Sequence, residues 1–570
     1  MKLFEHVVAI DRKSIDKSVV IFIRSDIEVE NDDENDEFEY VEVERNADEW
    51  LDALFESDSE DEEFDGFQDK WVFENFTRRV PPRRKLIGEA VFEHPEDANA
   101  FHYFELLWTN DLWHKIVEET NRYAAQEREK NPPLPKSPKW VPVDVPTMKA
   151  FIGLCFAMGI MRLPRRHNYW RQNKFLFSTS FNKIMSRDRF DLIWRYLHVH
   201  NNQADVGPQE RPDKLRKLRW YLDFLDRKFS EHFVPTTATI DESMIKFKGR
   251  LSFRQYLPSK PTKWGVKLWT LADSETGYMH RFQVYTGKED GQEKGLAYRV
   301  VMDLCSNLMG KNLRLYFDNF YTGTDLLQDL HVRSIMACGT VRSNRKGLPT
   351  DLLPKNIKLQ KHEFKVAQRN ELTYCIWQDT KPVCLLSNFH DPESQGSVNR
   401  RSGLNVQRPI PVPKMLEDYQ KHMKGVDLCD QMVGYYLLQH RSKKWWRRIF
   451  FYLMVASAYN AYVIVKDSNP DRCTSEWSSF QAFLESLVED LTCDFRGGKA
   501  AALVPQPDPT RRGQHTFGRI FEKNKTCYEC SCSAQPGARR GVTKFGCREC
   551  NIPVHMECQT IHIMRNINSV

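Results

Sequence analysis

Three aspartates are the first residues of this 570-residue chain whose placement suggests chemistry. Asp241 closes a short β-like stretch, Thr237–Asp241, and Asp318 follows another in which Leu313, Leu315 and Phe317 alternate. If the two strands are neighbours in one sheet, both carboxylates leave it at the same edge. A helix laid on that sheet could bring a third, from Asp427 or Asp430 in the run Met423–Met432. Clustered carboxylates repel one another without a cation. Two Mg²⁺ ions about 3.5–4 Å apart relieve that repulsion and clamp the attacking and leaving oxygens of a phosphodiester. Hard carboxylate oxygens suit Mg²⁺ or Mn²⁺ rather than zinc. Taken singly, an aspartate at a strand end is more often a turn or cap residue, so spacing alone leaves both readings open.

A second cluster lies near the C-terminus. Of 14 cysteines, six fall between Cys527 and Cys558. Cys527-x2-Cys530 and Cys547-x2-Cys550 are 16 residues apart, with Cys532, His555, Cys558 and His562 close by. Eight N/S ligands suffice for two tetrahedral Zn²⁺ sites, and so short a segment needs metal to fold. The expected pairing joins Cys527 and Cys530 to His555 and Cys558. That leaves Cys547 and Cys550 for His562 and Cys532. The ligand order is not that of a RING-type ubiquitin ligase.

Elements that could position these residues follow from periodicity. Residues 91–235 are mostly helical, with amphipathic segments after Asn110, over Met148–Met161 and over Phe181–His198. From Thr237 the pattern becomes β-β-β-α-β-α-β, ending in the strand Ser334–Gly339, an α/β arrangement that opens with an antiparallel hairpin. Residues 361–390 are β-like and read as an insertion. Helices return over 416–467 and 477–489. The apolar run Ile449–Val465 is broken by Ser457 and Asn460, which predicts a buried helix rather than a membrane span. Residues 496–513 read as a linker.

Charge divides the chain. Residues 26–65 hold 21 Asp/Glu and one Arg, a net of −20, so with a chain total of +5 the remainder carries +25. The acidic run is expected to be disordered. A basic body points to a polyanionic partner. Residues 78–85, Arg-Arg-Val-Pro-Pro-Arg-Arg-Lys, read equally as a nuclear-import or phosphate-contacting arm and as a charged linker. No signal peptide is recognisable, and the scattered cysteines read as buried thiols of an intracellular protein.

The residues flanking the aspartates are more specific. Thr239–Ser243 with Phe247–Lys260, Phe317–Tyr321, Gly339–Pro349 and Tyr419–Met432 resemble, in order and spacing, four blocks of the piggyBac transposase family. The likeness covers roughly residues 100–467 and extends to the tail. It implies an α/β RNase H-like catalytic core, a mixed five-stranded sheet with helices, and a β-rich insertion. A mainly α dimerisation and DNA-binding domain and a small C-terminal zinc-binding domain complete the plan. The expected boundaries are an acidic region 1–90, helical domain 91–235, core 236–342, insertion 343–413, last core helix 414–436, second helical part 437–495, linker 496–520 and zinc domain 521–564.

By position Asp241, Asp318 and Asp427 match the family's catalytic triad, and Asp430 matches a further required acid. The resemblance implies a cut-and-paste DNA transposase using Mg²⁺ or Mn²⁺. One strand is hydrolysed, the 3′-OH forms a hairpin on the other, and the reopened end joins target DNA at TTAA. Double-stranded DNA, a homodimer and the nucleus are the implied partners and location, with no membrane. Arg342, Arg345 and Lys346, and Lys443, Lys444, Arg447 and Arg448, are the expected DNA contacts; Lys260 and Lys263 are weaker ones. Trp445 and Trp446 are read as core. The alternative is a domesticated DNA- or chromatin-binding protein without transposition activity.

Overall fold

A computed structural model describes residues 70–78, 98–135, 137–171, 180–202, 213–258, 260–287, 295–401, 407–438 and 442–495 and, in the tail, 517–521, 525–527, 542–547, 552–555 and 558. The acidic run and most of the basic stretch after it lie outside these residues.

Helices α1 (Ala100–Leu107), α2 (Asn110–Lys130), α3 (Val145–Ile160), α4 (Ser180–Ile184), α5 (Arg187–Tyr196) and α6 (Arg219–His232) come first. Their starts follow capping chemistry. The Asn99 side chain accepts from the His102 N–H, and that of Asp144 from Thr147 N–H, both at 2.9 Å. The single helix expected over Phe181–His198 is two, because the Ser186 hydroxyl accepts from Arg189 N–H and starts α5 afresh.

The sheet begins with β1 (Thr237–Lys246), β2 (Gln255–Tyr256), β3 (Trp264–Asp273) and β4 (Met279–Val284). After α7 (Leu296–Leu304) come β5 (Leu313–Phe317), α8 (Thr324–Val332) and β6 (Ile335–Thr340). β1 pairs antiparallel with β3 and parallel with β5, and β5 pairs parallel with β6. This mixed sheet with its helices agrees with an RNase H-like core. It is wider than the expected five strands. The insertion strands β7 (Phe364–Arg369), β8 (Leu372–Gln378) and β9 (Pro382–Ser387) extend it, since β9 pairs with β6 through Gly339–Leu386 and its neighbours. The result is one nine-stranded sheet.

A hairpin of β10 (Gln395–Arg401) and β11 (Gln407–Pro413) follows. Sequence reasoning missed it because Pro409, Pro411 and Pro413 argue against a strand. They fall at alternate positions, so all three missing N–H groups lie on the edge away from β10.

Helices α9 (Lys414–His422), α10 (Gly425–Tyr436), α11 (Trp445–Ser468), α12 (Pro470–Ser475) and α13 (Phe480–Thr492) complete the main body. The N-terminal helices share one apolar core with α11 and α13. At its centre Trp108 is fully buried, donates to Ser457 Oγ at 3.0 Å and packs on Phe104, Trp113, Tyr221 and Phe450. Among the described residues α11 is the one helix long and apolar enough to cross a membrane, yet its apolar stretch is almost wholly buried inside the fold. Tail strands β12 (Phe517–Arg519), β13 (Lys525–Thr526), β14 (Val542–Thr543), β15 (Phe545–Cys547) and β16 (Ile552–Pro553) form two small antiparallel sheets.

His280 on β4 ties the sheet to the end of α6. Its Nδ1 donates to Phe233 O at 2.8 Å and Nε2 accepts from Asn307 Nδ2 at 3.0 Å. Burial depresses its pKa to about 4, and the hydrogen bonds oppose this only in part. The folded state therefore binds fewer protons than the unfolded chain, where imidazole titrates near 6.5. Stability from the neutral ring is present above that value and lost as pH falls toward 4. The lead of wild type over His280→Gln in urea midpoint should shrink between about pH 7 and pH 5. A constant gap would mean that the ring is not held neutral.

Segment 70–78 lies on the outer edge of β7. Val72 and Gln368 exchange backbone hydrogen bonds at 2.8 and 2.9 Å. The Gln368 side-chain amide makes a second pair with Thr77, at 2.8 and 3.0 Å. The Trp71 indole donates to Gly347 O at 2.9 Å, beneath the Arg369 guanidinium.

Candidate active site

Asp241 lies within β1, not at its end, because the strand runs on to Lys246. What ends there is the neighbour: the β1–β5 pairing stops at Ile240–Phe317, so Asp241 and Asp318 are the next residues of adjacent parallel strands. Asp318 opens a turn in which its Oδ1 accepts from Phe320 N–H at 2.9 Å. Asp241 and Ser243 share one face of β1, and α10 packs on it. From that helix Asp430 accepts from the Tyr452 hydroxyl at 2.6 Å and from Ser243. Asp427 is in its first turn.

Two glycines set how closely α10 approaches. A Cβ on Gly425 would meet Asp273 O at 2.5 Å, and Gly277, at φ +72°, lies under Cys429. Gly425→Ala should push the start of α10 off the β3–β4 turn and carry Asp427 with it. Any metal-dependent reaction at these carboxylates should then slow about a hundredfold, the scale of a 1 Å misplacement. A single-turnover rate near wild type would show that the helix absorbs the methyl without moving Asp427.

The electrostatics are those of buried acids in excess. Burial pushes the Asp241 carboxyl up to about 7; Lys260 opposes this and Glu242 reinforces it. Burial likewise raises Asp318, with Glu242 adding to the effect. It takes Asp430 up to about 6 against the hydrogen bonds from Tyr452 and Ser243. Glu242 is held low: burial works against its ionisation, but the Lys267 ammonium 3.0 Å away, the hydrogen bond with Asp241 and the charge of Lys260 together outweigh it. Lys260 Nζ stands 3.1 Å from Asp241 Oδ2.

Glu242, Ser243, Lys267 and Tyr452 were not singled out by sequence reasoning, and Lys260 was read as a weak phosphate contact. The signal for Glu242 was available: a second acid directly after Asp241 inside a strand with no other acid.

A sheet edge with hard carboxylate donors in excess suits divalent cations. A family profile described as Transposase IS4 matches residues 99–462, well over half of the chain. The chain belongs to the piggyBac-type transposase family. Human PiggyBac transposable element-derived protein 5 is 26% identical over 435 residues, 72% of this chain and 79% of that protein. Human PiggyBac transposable element-derived protein 3 is 27% identical over 439 residues, 72% and 68% of the two chains. A piggyBac transposase solved by cryo-EM in a synaptic complex with hairpin DNA shares the fold. The TM-score is 0.61 at 23% identity, over 81% of this chain and 98% of that one.

In this piggyBac-type chain the basic segment after β6 wraps the Asp318 turn. Arg342 Nε donates to Asn319 Oδ1 at 3.1 Å and Arg345 to Phe320 O at 2.7 Å, while Lys346 is exposed. The second basic group departs from expectation. Arg447 is only 6% exposed and donates to the carbonyls of Trp194 and Arg195 at the end of α5. Burial lowers it to about 10. It caps a helix and is not available to phosphate. Lys444 is half-buried over the Tyr123 ring, and burial takes it down to about 8. Burial also lowers Arg448. Lys443 alone of the four is exposed. Trp446 is core, as expected, and Trp445 packs on it.

In the tail the ligand atoms of Cys527, His555 and Cys558 all lie within 4.8 Å of one another, the one such group of metal-capable side chains among the described residues. The His555 N–H donates to Cys527 Sγ at 3.3 Å. Cys547 is buried between Phe517 and Ile552, in a small apolar cluster against which Cys558 packs. Cys530, Cys532, Cys550 and His562 lie outside the described residues.

Proposed function

We propose that this chain is a cut-and-paste DNA transposase of the piggyBac type, acting as a homodimer on nuclear DNA. One observation carries the reading: Asp241 and Asp318 leave adjacent parallel strands side by side, with Asp427 and Asp430 on the helix that packs against them. Asp241, Asp318 and Asp427 would hold Mg²⁺ or Mn²⁺, which when bound would supply an activated oxygen nucleophile and charge stabilisation at the phosphodiester.

The chain's own residues do the rest. The sheet fixes Asp241 and Asp318, so their spacing does not depend on substrate. Tyr452 and Ser243 lock Asp430 beside them. Arg342, Arg345 and Lys346 bring positive charge to the turn that carries Asp318 and hold the scissile strand by its phosphates. Strand hydrolysis, hairpin formation, reopening and joining at TTAA are all displacements at phosphorus, so one site serves each. Two Zn²⁺ ions would be held in the tail, the first by Cys527, His555 and Cys558 with Cys530, the second by Cys547, Cys550 and His562 with Cys532.

The test is a duplex carrying the terminal repeats that flank the gene, incubated with the full chain and Mg²⁺. Hairpin-ended product supports the reading; intact duplex after long incubation removes it. The names of the human relatives, transposable element-derived proteins, favour a second reading, DNA binding without transposition. Absence of flanking repeats, with DNA binding retained, would favour that one.

A further inference from the structure

The acidic site carries a cation of its own. Lys260 lies in the loop after β2, where its backbone N–H donates to Leu257 O at 3.3 Å. Its side chain nevertheless reaches Asp241 Oδ2 at 3.1 Å, with only 25% of it exposed. The same ammonium lies within electrostatic reach of Glu242 and Asp427, and it eases ionisation of Asp318 and Asp430. Lys267, the other nearby ammonium, is held by Glu242. Lys260 therefore touches the field of every acid assigned to the site and pairs directly with one proposed ligand. A divalent ion on Asp241 would share its carboxylate with an ammonium at hydrogen-bond distance, and two cations so close repel strongly.

We propose that Lys260 is the resident counter-ion of the metal-free site, that it competes with divalent metal for Asp241, and that DNA relieves the competition by giving the displaced ammonium a phosphate. Metal and DNA then bind with positive coupling, and by linkage each raises the affinity of the other. An enzyme of this design leaves its nuclease site poorly loaded until substrate arrives. The inference rests on the metal reading above.

The experiment is calorimetric titration of Ca²⁺, a hard oxygen-seeking probe, into the full chain, counting only the binding that Asp241→Asn abolishes. Without DNA, Lys260→Met should bind Ca²⁺ about tenfold more tightly than wild type, while Lys260→Arg, which keeps the charge, stays near wild type. With a saturating random-sequence duplex, wild type should gain about tenfold and Lys260→Met nothing. Melting temperatures confirm that each variant is folded. Equal or weaker binding by Lys260→Met overturns the competition. A DNA-induced gain that persists in Lys260→Met overturns the coupling. If wild type and Lys260→Met both lack Asp241-dependent binding, the metal reading fails and takes this inference with it. Wild-type binding that Lys260→Met does not improve removes the inference alone.

Discussion

Replacing Asp318 by Asn should abolish metal-dependent cleavage of repeat-ended DNA and leave the fold as stable as before, or more so. The two effects have one cause. Asp318 is buried beside Glu242, and both burial and that charge push its carboxyl above its ordinary value of 3.8. With a raised folded-state pKa, its contribution to stability is full below that value and is lost as pH rises through the folded pKa. At neutral pH the ionised group is a liability to the fold, and its use is to meet a cation. Asparagine keeps an oxygen for the Phe320 N–H but lacks the charge. Metal stabilisation of the transition state is worth several kcal/mol, so the rate should fall at least about a thousandfold. Cleavage within tenfold of wild type would take Asp318 out of the site. A clear drop in melting temperature would give it a structural role instead.

Trp108→Ala should produce the largest loss of stability. The indole has no exposed surface, donates to Ser457 at 3.0 Å and meets Phe104, Trp113 and Phe450 at ring-centroid distances of 5.3, 5.0 and 6.0 Å. Truncation leaves a cavity between α1, α6 and α11 and a buried hydroxyl short of its donor. Loss of a buried Trp costs about 3–5 kcal/mol, and at this chain length the melting temperature should drop by roughly 3–4 °C. Calorimetry reads it directly. A shift under about 2 °C would mean that the helices do not meet at this ring.

Much of this architecture was legible in residue order. Alternation in Leu313–Phe317 placed the strand before Asp318, and the four-residue steps of Leu296, Val300, Leu304 and Leu308 placed the helix that precedes it. The apolar run Ile449–Val465, interrupted by Ser457 and Asn460, marked a core helix rather than a membrane span. The hydroxyl of Ser457 returns to the Leu453 carbonyl, and the Asn460 amide bonds Met279 at both ends. Other features depend on long-range pairing that local pattern does not encode. The join of β9 to β6 is one, since an apolar β stretch does not name its partner. Arg447 is another: in sequence it is one of four Lys/Arg around two tryptophans, and only the end of α5 tells a helix cap from a phosphate contact. The β10–β11 hairpin failed for a different reason. Proline is penalised in strands on average, but here every proline faces the unpaired side.

Segment 70–78 bears on how this protein can be handled. Its Val72 occupies hydrogen-bonding groups at the rim of a nine-stranded sheet, and Gln368 is committed to it by both backbone and side chain. An uncovered strand rim is a template for pairing between molecules. A truncation that begins after Thr77 would leave the main body intact and its rim bare, inviting self-association through β7. One that begins at Lys70 keeps the cover in place. Start points chosen for expression or crystallisation should therefore fall on the N-terminal side of Trp71.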